Sequence, residues 1–401
     1  MLSGLRGYLA DLRAVLTGNV GVMAVSWFLF ALSSAMVMPF FSLYARNLGA
    51  SDIEISIMRS LGFIALALFL PLGGILTDLL GRVRPIIMGT FMVAVVQFFY
   101  AVVPDWRYLT VVVVVDNASH FYQPALTAIL MDSMPRDKTM KGFMILNAFS
   151  SLPWLFMPVV GGVLYDIYGT LGIRIGFLIS GVISIVVAFL RIKALRETYS
   201  PHNKDLSGIV LELAGYRPVL NKAVKFYVYT AIFNQLTVGV INTFGAIYAV
   251  NRLGMNAFDW GVATTLGSAS SILASLILSA KMSLHDKKTM VTSSSLIALA
   301  QLFYAIPYFN RAAIPLVYLA TIISSIGGAI AGSSISSILT HVLPTELRGR
   351  ATGIQRTLET LGSALASYVA GLMYAYLGPF ISFIVSFTIG VVSTIYLAYI
   401  I

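Results

Sequence analysis

The sequence predicts an all-α integral membrane protein whose twelve transmembrane helices form two six-helix bundles related by a parallel repeat. Three observations carry this expectation. Of the 401 residues, 58% are hydrophobic and only 10% are charged, whereas a soluble domain needs about 25% Asp, Glu, Lys and Arg to coat its surface. About twelve apolar runs are long enough, at roughly 20 residues each, to cross a hydrocarbon core of ~30 Å. Motifs in the first half of the chain also return, in the same order, in the second.

The runs lie near 19–45, 53–78, 85–104, 107–134, 140–165, 171–193, 222–250, 256–281, 288–309, 313–342, 347–376 and 379–401. Short connections make neighbouring helices antiparallel. Ser51-Asp52-Ile53-Glu54 reads as a capping box opening the second run, and Pro104, Pro135 and Pro344 stand where helices should stop. Residues 1–18, with Arg6, Asp11 and Arg13 among apolar residues, read as an amphipathic surface helix and not as a cleavable leader.

The net charge of +10 would point a soluble chain toward nucleic acid, but its placement gives a different reading. Roughly twenty of the basic residues fall on one set of loops, including Arg82, Arg84, Arg136, Lys138 and Lys141, and about five on the other. Positive-inside bias then puts both termini in the cytoplasm of a multi-pass plasma-membrane protein, with no nucleic acid as partner. The absence of cysteine excludes disulfides and thiolate metal sites.

The repeat pairs Leu43-Tyr44-Ala45 with Ile247-Tyr248-Ala249, and Gln97-Phe98-Phe99-Tyr100-Ala101 with Gln301-Leu302-Phe303-Tyr304-Ala305. Further on, the segment Ala128 to Pro135 returns as Ser337 to Pro344, and Gly162-Val163-Leu164-Tyr165 as Gly371-Leu372-Met373-Tyr374. Four matches in order at nearly one offset divide the chain into an N-terminal bundle (1–193), a cytoplasmic linker (194–221) and a C-terminal bundle (222–401). Parallel repeats of this kind occur in one large class of transporters. The basic linker, flanked by Arg191, Lys193 and Arg196, reads as a tether to anionic headgroups.

After the second run comes Gly74-Ile75-Leu76-Thr77-Asp78-Leu79-Leu80-Gly81-Arg82-Val83-Arg84-Pro85. It resembles the signature of the major facilitator superfamily, Gly-x-x-x-Asp-(Arg/Lys)-x-Gly-Arg-(Arg/Lys). Gly74, Asp78, Gly81 and Arg82 match, while Leu79 and Val83 replace basic residues. The resemblance implies two six-helix bundles around a central cavity, with Asp78 facing the start of the eleventh helix near Leu347–Ala351. It also implies that Arg82 pairs with an acid ending the fourth helix, where Asp132 stands. An Asp78–Arg82–Asp132 lock of this kind would brace one conformer and break in the other. The second half keeps a vestige, Lys281 to Lys288, with Ser283 in place of the acid. In the fifth run, Pro158-Val159-Val160-Gly161-Gly162 resembles the glycine–proline motif of drug/proton antiporters, with Met157 where that motif has glycine. Read without the family, it is a proline kink followed by a close-packing glycine pair.

Ionisable residues inside a membrane helix are functional candidates by default. Asp116 and His120 sit at i and i+4 in the fourth run, sharing a face that Gln123 and Thr127 extend. A carboxylate beside an imidazole can exchange a proton near neutral pH, so this pair is the candidate for proton coupling or solute contact; the alternative is a permanent structural pair. Arg356 and Glu359 read as an internal ion pair, or Glu359 as a cavity acid. Asn234, Gln235, Asn242, Ser33 and Ser34 could hydrogen-bond a solute or glue helices together. Arg59 is close enough to the outer face to snorkel.

No phosphate-binding GxxxxGK[ST] segment is present, and no metal-ligand or nucleophile–base spacing stands out, so neither an enzyme nor a resident cofactor is expected. The sequence reads as a secondary transporter, monomeric, moving a small organic solute by alternating access, with proton-coupled export favoured by the antiporter-like motif and the Asp116/His120 pair. An importer or uniporter of sugars or other metabolites is the alternative. From other classes, a non-transporting sensor or a membrane enzyme would need a soluble domain or converging acids and histidines.

Overall fold

The computed structural model describes residues 17–134, 139–199, 224–281, 287–342 and 348–400. All regular elements among them are helical. Helix α1 (Gly18–Val37) passes through a single 3-10 turn at Met38–Phe40, where Pro39 removes a backbone donor, into α2 (Phe41–Asn47). Helix α3 (Asp52–Leu80) opens on the predicted capping box: Ser51 Oγ accepts the Glu54 N–H, and the Glu54 carboxylate accepts the Ser51 N–H. It ends at Gly81, whose φ of 86° is open to glycine and strained for other residues. Helix α4 spans Val83–Val102.

The fourth expected run is not one helix. Helix α5 (Trp106–Ser119) gives way to a 3-10 turn at His120–Tyr122 before α6 (Gln123–Ser133) begins. Pro124 has no N–H to offer a carbonyl four residues back, so the α-helical ladder breaks there. Next come α7 (Thr139–Ser151), α8 (Met157–Tyr168) and α9 (Thr170–Ala194). In the second half, α10 (Gln235–Ile247) is flanked by π-helical turns at Tyr229–Asn234 and Tyr248–Arg252. It is followed by α11 (Ala257–Lys281), α12 (Lys287–Ala305), α13 (Pro315–Val342) and α14 (Arg348–Ile400). Gly378, at φ 76° and before Pro379, breaks α14 into two helices. Among the described residues, ten helices are long and apolar enough to cross a membrane. That count leaves out the broken α5–α6 and takes α14 once. The expected surface helix at 1–16, the linker at 200–223, Ser283 of the vestige, Pro135 and Pro344 lie outside the described residues.

The sequence repeat reappears as a repeated core. Tyr44 donates its hydroxyl to the Tyr100 carbonyl at 2.6 Å, and Tyr248 to the Tyr304 carbonyl at 2.7 Å, each across 56 residues. Phe177 stacks on Tyr100 with centroids 4.6 Å apart, and Phe383 on Tyr304 at 5.6 Å. Buried tyrosine hydroxyls need acceptors, and both halves of the chain answer that need in the same way.

The halves meet closely at the end of the molecule where α3 begins. There Ser42 donates to the Thr243 carbonyl at 2.5 Å, Ser60 to the Ala364 carbonyl at 2.7 Å, and Trp260 Nε1 to the Pro39 carbonyl at 3.1 Å. Toward the other end, a side chain added at Gly74 or Gly328 would meet open space.

Candidate functional site

Two adjoining cavities lie inside the molecule: one of about 620 Å³ between the halves, and one of about 470 Å³ lined by the first half alone. Arg59 and Met38 line both. The smaller one is walled by Ser33 and Ser34 of α1 and by Asp116 and His120, the larger by Asn242 and several serine and threonine hydroxyls.

Asp116 is 8% exposed. Its Oδ2 accepts the Tyr100 hydroxyl at 3.2 Å, and its Oδ1 is buried without a hydrogen-bond partner. His120 comes close through the backbone and not through the carboxylate: its Nδ1 lies 2.8 Å from the Asp116 carbonyl oxygen. A carbonyl only accepts, so Nδ1 carries a proton, leaving Nε2 as the nitrogen that can gain or lose one. Glycines hold this bend in place. A Cβ on Gly73 of α3 would sit 1.6 Å from the Phe121 carbonyl oxygen, and one on Gly89 of α4 would sit 2.1 Å from the Tyr122 ring. The 3-10 turn also changes the helical register, and neither Gln123 nor Thr127 lines either cavity.

The signature residues do come together. Arg82 Nη1 lies 3.2 Å from Asp78 Oδ1, and its Nε 3.3 Å from Asp132 Oδ2. The segment after α9, read from sequence as linker, completes the cluster. Glu197 accepts the N–H groups of Arg82 and Val83, both at 2.9 Å, Thr198 donates to Asp132 at 3.0 Å, and Arg82 lies 4.4 Å over the Tyr199 ring. Partial burial pushes the Glu197 carboxyl up, but the backbone donors of Val83, Arg82, Tyr199 and Thr198 outweigh it and hold the group below the usual carboxylate range. A Cβ on Gly81 would come within 2.7 Å of Glu197, which gives that glycine a second reason beyond its φ. The expected meeting of Asp78 with the start of the eleventh helix involves side chains outside the described residues.

The fifth-run motif packs backbone against backbone. A Cβ on Gly161 would lie 1.9 Å from the Met36 carbonyl oxygen, and one on Gly162 2.5 Å from that of Ala257. Across the same contact, a Cβ on Gly261 of α11 would lie 2.4 Å from the Pro158 carbonyl oxygen. Asp166 at the end of α8 accepts the N–H groups of Ala257 and Phe258 at 2.9 and 2.8 Å. A carboxylate from one half thus caps a helix of the other, using the unsatisfied donors and positive end of α11. Sequence reading missed Asp166, because Asn256 before α11 already offers a local cap and nothing local points to a carboxylate 91 residues away.

Other candidates are placed differently. Arg356 and Glu359 form no ion pair: Arg356 is exposed and Glu359 accepts from Gln355 Nε2 at 2.8 Å. Gln235 accepts from Ser363 at 3.1 Å, and neither it nor Asn234 lines either of the two cavities. Arg191, read as a residue flanking the linker, is fully buried. It donates to Ser26 and Thr90, and its guanidinium lies 5.2 Å from the Phe30 ring centre. Arg59 does not snorkel; it turns inward.

The sequence and the fold have known counterparts. The sequence profile of the Major Facilitator Superfamily matches residues 23–306 and, separately, 227–401. An uncharacterized MFS-type transporter of Methanocaldococcus jannaschii is 24% identical over 368 residues, covering 90% of this chain and 92% of that one. The quinolone resistance protein NorA of Staphylococcus aureus is 21% identical over 366 residues, covering 89% and 90%. Among solved structures, the nucleoside transporter NupG superposes with a TM-score of 0.77 at 15% identity, covering 95% of this chain and 98% of that one. A D-xylose–proton symporter gives 0.74 at 13% identity, covering 97% of each. With a profile matched over nearly its whole length and an all-helical, multi-span fold, the chain belongs to the Major Facilitator Superfamily and is a membrane transporter, not an enzyme.

Proposed function

We propose that the protein exports a small organic solute across the plasma membrane in exchange for protons, as a monomer working by alternating access. In this reading the chain crosses the bilayer twelve times, α5 and α6 forming one crossing and α14 two. Residues 1–193 and 222–401 are then the moving bundles and 194–221 a cytoplasmic linker. The Arg82 cluster faces the cytoplasm and the Asp52 end faces outward, so the closed end described above makes this an inward-facing arrangement.

The observation that carries the coupling is Asp116: a buried carboxylate in the cavity wall with one oxygen held by Tyr100 and the other unpartnered. Protonation there removes a charge and adds a donor where none is matched, and His120 Nε2, at the same cavity, can relay the proton. Tyr100 ties that event to Tyr44 and so to the packed end between the halves. Release of Asp166 from α11 would open that end, while the Arg82 cluster closes the other. Family members are two-state devices in which packed interfaces switch as units.

The hydroxyl-rich wall of the larger cavity, with Ser42, Asn242, Thr264, Thr321 and Ser324, favours a second reading: an importer or uniporter of a polar metabolite. Flux into proteoliposomes with and without an imposed pH gradient, over a panel of drugs, sugars and organic acids, separates the two. The export reading expects flux that follows the gradient in sign. Flux indifferent to the gradient leaves the uniporter, and no flux at all sinks both.

A further inference from the structure

Charges buried among apolar helices are costly and normally find partners. Most of the arginines within the packed helices obey this. Arg46 pairs with Asp52, Arg174 donates to the Val103 carbonyl at 2.8 Å, and Arg191 donates to two hydroxyls. Arg59 does not. Among the described residues it has no hydrogen bond and no ion pair, and its Nε is sealed from solvent without an acceptor.

Its direction is fixed by its neighbours on α3. Ser56 packs under Gly371 and Ser60 donates to the Ala364 carbonyl, so one face of α3 is spent on α14. Gly62 lies so close to α5 that a Cβ would meet Val113 and Asn117 at 2.8 and 2.9 Å. The face left over carries Arg59 and, one turn on, Phe63, and both line the smaller cavity. Arg59 is about 10 Å along the helix from its start, at the closed end of the space and on the boundary of both cavities. Asp116 lines the same smaller cavity, yet no ion pair joins the two.

The geometry points to Arg59 as the recognition site for an anionic group of the transported solute, which makes that solute an amphipathic organic acid. This rests on the transporter reading above. A guanidinium presents a planar fork that matches a carboxylate with two parallel hydrogen bonds. Phe41, Phe63, Trp154 and Trp260 on the cavity walls supply the apolar and aromatic surface for the rest of the molecule. Binding supplies the partner that the fold withholds, so the net charge around Arg59 falls by one when the cavity is loaded.

The full chain, purified in detergent, can be titrated by tryptophan fluorescence, since Trp154 and Trp260 face the cavity. The probes are 3-phenylpropionate and 1-naphthoate against their neutral amides. The acids are expected to bind at least about tenfold more tightly, as a charge-assisted hydrogen-bonded pair should. Arg59→Gln should bring them to the level of the amides, with Tm no lower than wild type because an unpartnered buried charge is removed, and Arg59→Lys should keep part of the preference. Should the glutamine variant not fold, Arg59→Met is measured in its place. An acid preference that survives loss of the guanidinium overturns the assignment, as does a wild-type protein with no acid preference or no acid binding. Arg59-dependent binding without flux into proteoliposomes would count against transport and not against this site. Flux of the acids indifferent to Arg59 would do the reverse.

Discussion

The two halves of the chain share a scaffold and differ in chemistry. Tyr44, Tyr100 and Phe177 are matched, bond for bond, by Tyr248, Tyr304 and Phe383. At the next link the match ends: the Tyr100 hydroxyl meets the carboxylate of Asp116, whereas the Tyr304 hydroxyl meets Thr321 Oγ1 at 2.9 Å. The asymmetry extends outward. Arg59, the Arg82 cluster and the buried Arg191 all belong to the first half, and in the sequence repeat Asp132 is answered by His341. A duplicated packing unit thus carries ionisable groups on one side and neutral hydroxyls on the other.

The largest expected effect comes from erasing that difference. Asp116→Thr copies the second half into the first, keeping a hydroxyl for Tyr100 as at Tyr304 and Thr321. Gradient-driven flux should fall more than about tenfold, on the scale of losing a proton-transfer group, while Tm stays close to wild type. Retained coupling in this variant would mean that the carboxylate is part of the scaffold only. A large loss of Tm would mean that the halves are not interchangeable even as packing.

How much of this was legible beforehand differs residue by residue. The Asp78 and Arg82 positions follow from a spacing motif, which survives folding when it sits at a turn, and Asp132 was expected only as what the family resemblance implies. The repeat was visible because aromatic core positions resist substitution by other shapes. Asp116 and His120 were found as a pair, but the i, i+4 argument presumes an unbroken helix, and Pro124 interrupts it; the imidazole therefore meets a carbonyl and not the carboxylate. Arg356 and Glu359 failed as a pair because a nearer amide, Gln355, takes the carboxylate. Arg59 was misjudged because depth along a helix can be counted from sequence, whereas the face it presents depends on which neighbours take the other faces. Glu197 and Asp166 were missed because each acts on the backbone of a distant helix end, which no local pattern records.

A sharper test of the comparison uses the close contacts between halves. Gly162 in the first half abuts the Ala257 backbone, and its repeat partner Gly371 abuts the Ser56 side chain. Because the chain has no cysteine, a single Met38→Cys reports on access to the cavity from the Asp52 end with a membrane-impermeant maleimide. Gly162→Ala should cost the closed end about 1–3 kcal/mol by overpacking, a shift of roughly 5- to 150-fold in the conformer ratio, seen as faster labelling. Gly371→Ala should shift it too, and Ser56→Gly should restore it, since a side chain can be removed and a backbone carbonyl cannot. Unchanged labelling in Gly162→Ala would show that this contact does not hold the end closed.

The smallest expected effect concerns the clip that Glu197 places on α4, a device of the first half alone among the described residues. Its carboxyl is held below the usual range because its charged form accepts backbone donors at a helix start. The folded value being the lower one, the contribution to stability is present above the unfolded value and disappears as pH falls through the folded one, where the group is protonated in both states. The residue is exposed, so screening keeps the effect small; a carboxylate at a helix N-terminus contributes roughly 0.3–1 kcal/mol. Glu197→Gln should therefore mimic acid. At neutral pH the amides of Arg82 and Val83 should exchange hydrogen a few-fold faster in the variant than in wild type, and at low pH, compared at equal pH, the difference should vanish. A difference that persists in acid would mean that the glutamate acts by shape and not by charge. Faster exchange confined to Arg82 and Val83, with the closed Asp52 end unaffected, would separate this local clip from the switch between halves.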